Sequence, residues 1–199
     1  MPTPLEMSEV FEKAITEHLT AIQALRAQQP ILERIAADIT RALVAGKKVL
    51  WCGNGGSAAD SQHLAAELVG RFRRERRGLA SVALTADTSI PTAIGNDYGY
   101  EEVFRRQVEA LCVAGDVLVG ISTSGESKNV CLALEAAGEL GAFTVALTGG
   151  DGGAVAKIAH ESLRIASKDT ARIQEAHILC GHMLCERVEM NVSEITLAK

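Results

Sequence analysis

Two helical patterns open the chain. Apolar residues recur at helical spacing across Glu9–Arg26 and again across Ile31–Ala45. Pro30 is predicted to close the first segment, and Gly46 is predicted to cap the second. Neither helix leads into a strand of its own before the next helix begins. The pattern therefore predicts an N-terminal helical hairpin that packs on the outside of the domain or on another subunit.

After this hairpin, short apolar runs alternate with amphipathic segments. The predicted strands are Lys48–Cys52, Ala80–Leu84, Asp116–Ile121, Ala142–Leu147 and Glu161–Ile165. The predicted helices are Ser57 to about Phe72, a short piece near Ser89–Ile94, Tyr100–Cys112, Ser127–Leu140, Gly153–Ile158 and about Thr170–Val192. This alternation predicts an α/β fold with a doubly wound, five-stranded parallel sheet. We expect one domain over residues 1–199, with the hairpin in residues 1–46 and the core in residues 47–199.

Composition restricts the classes of function. The net charge of −5 over 199 residues argues weakly against a general nucleic-acid binder. No apolar run approaches the roughly 20 residues that span a bilayer, and residues 1–13 carry glutamates without the apolar stretch of a signal peptide. We therefore expect a cytoplasmic protein without a membrane partner. Its five cysteines, an odd count, favour reduced and mostly buried thiols; Cys52 could be a nucleophile, but a core position suits it better.

The first strand runs into a turn that suits an anion. Three glycines and one asparagine (Gly53-Asn54-Gly55-Gly56) follow the strand, and a helix begins at Ser57. Glycines let the backbone approach a ligand closely, and a helix N-terminus offers free N–H groups and a positive dipole end. His63 and Glu67 lie one turn apart on that helix, as an acid/base or metal-ligand pair. The combination indicates chemistry on a phosphorylated small molecule.

A second turn rich in hydroxyl groups follows the third strand. Its hydroxyl residues are Ser122, Thr123, Ser124 and Ser127. They could donate hydrogen bonds to a phosphate, or they could simply cap the next helix. The matching turn after the first strand favours phosphate. Neither turn has the Walker or the G-x-G-x-x-G pattern, so a nucleotide is not implied.

Two other features have ordinary structural interpretations. On sequence alone, a histidine in an apolar helical stretch, such as His177 or His182, is more often a satisfied core residue than a ligand. The basic run Arg71–Arg77 could be a nucleic-acid patch, although a solvated helix end is favoured.

Five segments together resemble a known family. They are GNGGSAADSQHLAAELVGRF, AIGNDYGY, GDVLVGISTSGES, ALTGGDGG and ARIQEAHILCGH, and they resemble the sugar isomerase (SIS) domain family. The resemblance extends from about Lys47 to the last helix. The two turns are shared widely among SIS domains, whereas Gln-His-x3-Glu combined with Arg-Ile-Gln-Glu-x-His and a later His is much more specific. The resemblance implies a flavodoxin-like sheet and a homotetramer with active sites at subunit interfaces.

The resemblance also implies an activity. Within the family, the chain is most similar to members that convert sedoheptulose 7-phosphate to D-glycero-D-manno-heptose 7-phosphate, the entry step to ADP-heptose for lipopolysaccharide or surface glycans. Such an aldose–ketose isomerase moves a proton between C1 and C2 through a cis-enediol. A DnaA-associating replication regulator shares the fold but lacks the catalytic pair, which argues against it here. An SIS enzyme acting on another sugar phosphate remains an alternative.

Residue roles follow from the same resemblance. Glu67 is expected to be the base and His182 its acid/base partner. Substrate contacts are expected from Asn54, Gly55, Gly56, Ser57, Glu67, Asn96, Asp97, Ser122, Thr123, Ser124, Ser127 and Gln174. One zinc ion per subunit is expected on His63, Glu67, Gln174 and His182.

The spacing of two of these ligands predicts a shared site. Gln174 and His182 are eight residues apart on one predicted helix, which separates them by about 12 Å and roughly 80° of rotation. With metal bonds of about 2.0–2.2 Å, the two side chains are too short to meet at one ion. We therefore expect at least one ligand to come from a neighbouring subunit.

Overall fold

The computed structural model describes residues 4–197, and the side chains of residues 9–195. Residues 1–3 and 198–199 of the predicted domain lie outside this part. The helices are Pro4–Ala24 (α1), Gln29–Val44 (α2), Gly56–Val69 (α3), Ser89–Asp97 (α4), Arg105–Leu111 (α5), Lys128–Glu139 (α6), Gly153–Ile158 (α7) and Thr170–Leu197 (α8). The strands are Val49–Gly53 (β1), Ser81–Ala83 (β2), Val117–Ser122 (β3), Phe143–Gly149 (β4) and Glu161–Ile165 (β5).

Within residues 4–197 the strands form one five-stranded sheet in the order β2-β1-β3-β4-β5, and every neighbouring pair is parallel. The predicted fold class is therefore confirmed. The strand order reverses between β1 and β3, and ligands of open α/β sheets bind at the carboxyl ends of such strands. Both of the predicted anion turns follow these two strands.

The core lies on both faces of this sheet. Successive side chains of β1 point to opposite faces. Trp51 is buried in a cluster with residues of α2, α3 and α8, whereas Leu50 is buried in a cluster with residues of α5 and α6. All residues of β1 and β3 are buried, which explains their uninterrupted apolar sequence.

The N-terminal hairpin differs from its prediction at Pro30. A 3₁₀ turn, Leu25–Gln28, joins the two helices, and Pro30 lies in the first turn of α2 instead of ending α1. A proline fits there because the first N–H groups of a helix have no intrahelical partner. The cap at Gly46 was predicted correctly: its φ is +76°, and the N–H of Lys47 bonds the carbonyl of Ala42 at 2.9 Å.

One predicted helix ends earlier than expected, and another is interrupted. α3 ends at Val69, before the basic run Arg71–Arg77, which is therefore an irregular segment and not a solvated helix end. The predicted helix Tyr100–Cys112 is divided into a 3₁₀ turn, Tyr100–Glu102, and α5.

The hairpin packs on the outside of the domain, where His18 of α1 contacts Glu175 of α8 at 2.8 Å. The large apolar residues Val10, Phe11, Ile15 and Leu19 of α1 remain exposed. Among the helices of residues 4–197, none combines the length and the apolar character needed to cross a membrane.

Candidate active site

The first turn requires glycine at two positions. Gly55 has a φ of +56°, the left-handed region that favours glycine. A Cβ on Gly53 would lie 2.8 Å from the Cβ of Ser57, so a larger residue would not fit. Ser57 is buried, and its N–H donates to the carbonyl of Asn54 at 3.0 Å. This turn therefore leads directly from the end of β1 into α3.

Asn54 links this turn to the helix that follows the second one. Its amide NH₂ donates to the side-chain oxygen of Asn129, and the Asn129 NH₂ donates back to the Asn54 oxygen, both at 2.9 Å. The hydroxyl of Tyr100 donates to the same Asn54 oxygen at 3.0 Å. The pair fixes the position of one turn relative to the other, and a substrate contact of Asn54 stays a prediction.

The second turn gathers the four predicted hydroxyl residues at the end of β3. The hydroxyl oxygens of Ser122 and Ser127 are 2.8 Å apart, within hydrogen-bond distance. Thr123 and Ser124 line a cavity of about 480 Å³. The cavity also borders Lys168 and Asp151, and α6 begins directly after Ser127. Hydroxyls, a helix N-terminus and a nearby cation suit a phosphate group, whereas the Asp151 carboxylate does not.

Three of the predicted ligand residues meet across α3 and α8. The Nε2 atoms of His63 and His182 are 2.9 Å apart, and the His63 Nε2 lies 3.3 Å from Oε1 of Glu67. One ligand atom from each residue lies within 4.8 Å of the others. Within the described part of the chain, this is the one such cluster of His, Cys, Asp and Glu ligand atoms. We call these three residues the triad.

The triad fits a zinc ion by its donor chemistry. Two imidazole nitrogens and one carboxylate oxygen converge on a common point, and this is a donor set that zinc prefers. For both Nε2 atoms to bind a cation, each neutral imidazole must carry its proton on Nδ1, which leaves a lone pair on each Nε2. The triad would supply three of the four ligands of a tetrahedral site.

The approach of α8 to α3 depends on a glycine. A Cβ on Gly181 would lie 2.5 Å from both terminal methyl carbons of Leu64, which is fully buried. The next residue, His182, is thereby brought against His63, with ring centroids 5.1 Å apart. The ring of Phe72 stacks on His182, with the centroids 5.4 Å apart and the planes at 19°.

Three other predicted site residues contact groups outside the triad. The carboxamide of Gln174 lies against Gly56, where an added Cβ would be 2.5 Å from its Nε2. Since Gly56 precedes His63 by seven helical residues, the Gln174 side chain is about 10 Å from the triad along α3. Asn96 donates to the Asp97 carboxylate at 2.8 Å, and both residues are exposed at the end of α4.

Glu189 is a charged residue that the sequence analysis did not identify. Its carboxylate is buried and accepts the backbone N–H groups of residues 72–74. Burial alone would raise the pKa of Glu189, but these donors and the nearby Arg76 outweigh burial and lower it. A signal was present, because Glu189 shares a helical face with the core residues Cys185 and Val192. A carboxylate on such a face requires a buried partner.

Two other buried groups are not suited to react. His177 is fully buried, and its Nε2 is 3.2 Å from the carbonyl oxygen of Thr148. Burial lowers the pKa of His177 to about 4, so the ring is neutral and Nε2 donates to that carbonyl. Burial raises the pKa of Cys52 to about 12, which keeps the thiol protonated and supports its interpretation as a core residue.

Comparison with known proteins places this geometry in context. The SIS domain family matches residues 10–149 of the chain. A phosphoheptose isomerase of Aquifex aeolicus is 54% identical over 95% of this chain and 97% of the relative. The solved phosphoheptose isomerase GmhA from Neisseria gonorrhoeae superposes with a TM-score of 0.88 at 45% identity, covering 92% of this chain and 99% of that chain. The phosphoheptose isomerase structure from Francisella tularensis gives a TM-score of 0.86 at 37% identity, covering 96% and 100%.

Proposed function

The chain belongs to the phosphoheptose isomerases of the SIS domain family, and from this premise we propose that it converts sedoheptulose 7-phosphate to D-glycero-D-manno-heptose 7-phosphate. It is an aldose–ketose isomerase of heptose biosynthesis, and its product leads to ADP-heptose for lipopolysaccharide or surface glycans. The observation that carries the proposal is the meeting of Glu67 with two histidines, on a helix that begins at one of two turns that suit an anion.

The isomerisation is a transfer of protons that Glu67 and His182 can perform. The Glu67 carboxylate takes the proton from C1 of the ketose and returns a proton to C2 of the aldose, through a cis-enediol. His182 moves the protons at the two oxygens. The roles are supported by the short distances in the triad, since Glu67 and His182 both contact Nε2 of His63. A positioned acid/base group of this kind typically increases the rate about 10²–10⁴-fold.

The other end of the sugar is held away from the reacting carbons. We propose that Ser122, Thr123, Ser124 and Ser127 bind the phosphate together with the N-terminus of α6. The hydroxyls of the sugar chain are proposed to contact Asn54–Ser57, Asn96, Asp97 and Gln174. Binding energy from a remote phosphate orients the substrate for reaction at C1 and C2.

A metal ion fits the same proposal. We propose that His63, Glu67 and His182 hold zinc, with Gln174 as the fourth ligand. Zinc bound there would act as a Lewis acid on the oxygens of the enediolate. The converging donor atoms of the triad support this assignment.

We further propose that the site is completed by a neighbouring copy in a homotetramer. Gln174 and His182 lie eight residues apart on the continuous helix α8, and Gln174 contacts Gly56 at the start of α3. The Gln174 of a second chain could therefore reach the triad where its own does not. The exposed apolar face of α1 supports an interface there.

The test of the proposed function is the turnover of purified protein. Sedoheptulose 7-phosphate is incubated with the protein, and the aldose 7-phosphate is measured by chromatography. Fructose 6-phosphate and free sedoheptulose serve as comparison substrates. We expect rapid conversion of sedoheptulose 7-phosphate and at least about a hundredfold lower efficiency for the two others. Preference for fructose 6-phosphate would identify another sugar-phosphate isomerase, and the absence of turnover would favour a binding protein.

A further inference from the structure

The segment between α3 and β2 is fastened to α8 by one buried carboxylate. We call residues 71–77 the clamp loop. Glu189 is 1% exposed, and its two oxygens accept the backbone N–H groups of Phe72 at 3.1 Å, Arg73 at 2.8 Å and Arg74 at 2.9 Å. Three backbone donors on one buried carboxylate fix the path of the loop more tightly than exposed contacts do.

Arg76 of the clamp loop connects the same carboxylate to the end of α3. Its guanidinium donates to the backbone carbonyls of Glu67 at 2.9 Å, Leu68 at 2.9 Å and Gly70 at 3.1 Å. Its Nε lies 3.1 Å from Oε1 of Glu189 in an ion pair that is not aligned as a hydrogen bond. The two side chains are only 6% and 1% exposed. One buried guanidinium thus caps the helix that carries Glu67 and pairs with the helix that carries His182.

Phe72 is the point at which the clamp loop reaches the triad. Its N–H is held by Glu189, and its ring lies nearly parallel to the imidazole of His182, with the centroids 5.4 Å apart. His63 contacts the same imidazole edge-on. The ring plane of His182 is therefore bounded by Phe72 on one side, while Nε2 is directed at His63.

We propose that Phe72, Arg76 and Glu189 are positioning residues of the isomerase, because together they fix the separation of α3 from α8 and the ring plane of His182. The proposal rests on the proposed function, since it takes Glu67 and His182 as the groups that transfer protons. Displacement of a catalytic group by about 1 Å can cost about a hundredfold in rate. The clamp joins the end of α3, at the Glu67 carbonyl, to α8 about two turns beyond His182, and it therefore opposes such displacement.

Phe72→Leu tests the role of the ring with little change in apolar volume. We expect kcat for sedoheptulose 7-phosphate to fall at least about tenfold while KM stays within about twofold, because the phosphate end is untouched. Phe72→Tyr keeps the aromatic face, so we expect it to retain kcat within about threefold. Wild-type kcat in Phe72→Leu, or equal losses in the Leu and Tyr variants, would overturn the proposal.

Glu189→Gln tests the clamp itself, with Glu186→Gln as the matched control. Glu186 lies on the same helix and pairs with Arg73 of the same loop, but in an exposed contact of 3.1 Å. We expect Glu189→Gln to speed amide hydrogen exchange at residues 72–74 at least about tenfold, and Glu186→Gln to leave it unchanged. Unchanged exchange in Glu189→Gln would contradict the clamp.

The exchange measurement needs no substrate, so it separates the two proposals. A wild-type protein without isomerase activity would refute the proposed function while the clamp could still be observed. Faster exchange in Glu189→Gln would show that Glu189 holds the loop. If kcat were unchanged in the same variant, the positioning role would be refuted. Where Glu189→Gln does not fold, Phe72→Leu and Phe72→Tyr decide the question alone.

Discussion

The two ends of the active site are built in different ways. The hydroxyl-rich turn draws its groups from six consecutive residues, Ser122–Ser127, and its Ser122–Ser127 contact is local. The triad instead joins His63 to His182, which are 119 residues apart in the chain, through the packing of α3 on α8. A local turn keeps its shape when distant helices shift, but the triad does not. The comparison teaches that substrate binding and proton transfer should respond to different mutations.

This separation can be read from kinetic constants. Loss of a contact to the phosphate weakens ground-state and transition-state binding alike, which raises KM. Loss of a proton-transfer group acts in the transition state alone, which lowers kcat. Mutations at the turn should therefore move KM, and mutations at the triad or in the packing behind it should move kcat.

The largest effect is expected from Glu67→Gln. The substitution keeps the shape of the side chain but removes the base, so kcat should fall at least about a hundredfold with little change in KM. The measurement is the initial rate of aldose formation. Glu135→Gln, on the exposed face of α6, is the control and should keep wild-type kinetics. Turnover within a few-fold of wild type in Glu67→Gln would show that the base is another group.

A smaller loss is expected when the packing behind the triad is changed. Gly181→Ala places a methyl group against buried Leu64, which should push α8 from α3, lower kcat about tenfold and lower Tm by several degrees. Gly138→Ala is the matched control, because a Cβ there meets nothing within 4 Å. It should be neutral or stabilising by about 0.5–1 kcal/mol. Equal behaviour of the two variants would mean that close helix packing does not hold the triad.

Mutations in the hydroxyl-rich turn should change KM instead of kcat. Ser124→Ala removes one hydroxyl from the proposed phosphate site, and we expect KM for sedoheptulose 7-phosphate to rise about tenfold while kcat stays within about threefold. With free sedoheptulose as substrate, the variant and the wild type should have similar kinetics. An unchanged KM for the phosphorylated substrate would indicate that this hydroxyl only stabilises the turn, where it accepts the N–H of Glu126 at 3.2 Å.

The smallest effect on activity, and a clear effect on stability, is expected from His177, which attaches α8 to β4. Its pKa is about 4 in the folded chain, against an ordinary value of 6.5, so the unfolded chain binds more protons between these values. Stability from neutral His177 is therefore complete above pH 6.5 and is lost as the pH falls toward 4, by about 3 kcal/mol in total.

Replacement by a group that does not titrate should remove this dependence. Between pH 7 and 4, the unfolding free energy of His177→Leu, measured with denaturant, should decrease less steeply than that of the wild type. Its kcat at pH 7 should stay within a few-fold of the wild-type value. A slope equal to that of the wild type would contradict the assignment of the buried titration to His177.

The fold could be read from the sequence wherever local pattern decides it. The bounds Gly153–Ile158 and Glu161–Ile165 were predicted to the residue; the glycines of 149–152 precede the helix, and the alternating apolar residues Leu163 and Ile165 mark the strand. Pro30 was placed at the end of a helix instead of at the start of the next, since a proline fits both positions. The run Arg71–Arg77 was misread because its partner, Glu189, is more than a hundred residues away.

The same distinction between local pattern and tertiary packing applies to the candidate site. The four turn hydroxyls and the pair His63 and Glu67 follow from local spacing. The structure places Ser122 against Ser127, Thr123 and Ser124 on one cavity, and His63 beside Glu67. The role of His182 could not be predicted from local spacing, because its apolar sequence surroundings are those of a core histidine. Its role was predicted from resemblance, and its position depends on the Gly181–Leu64 contact between two helices. Tertiary packing of this kind has no signature in a single sequence.

The central claim is that Glu67 carries the proton between C1 and C2 of a substrate anchored by its phosphate. The most direct test is the reaction of sedoheptulose 7-phosphate in D₂O, followed by ¹H NMR of the aldose product. The account predicts that wild-type protein forms product carrying deuterium at C2 to the extent that the proton held by Glu67 exchanges with solvent during the transfer, and that Glu67→Gln forms product at less than about a hundredth of the wild-type rate. Product formation by Glu67→Gln at the wild-type rate would contradict it.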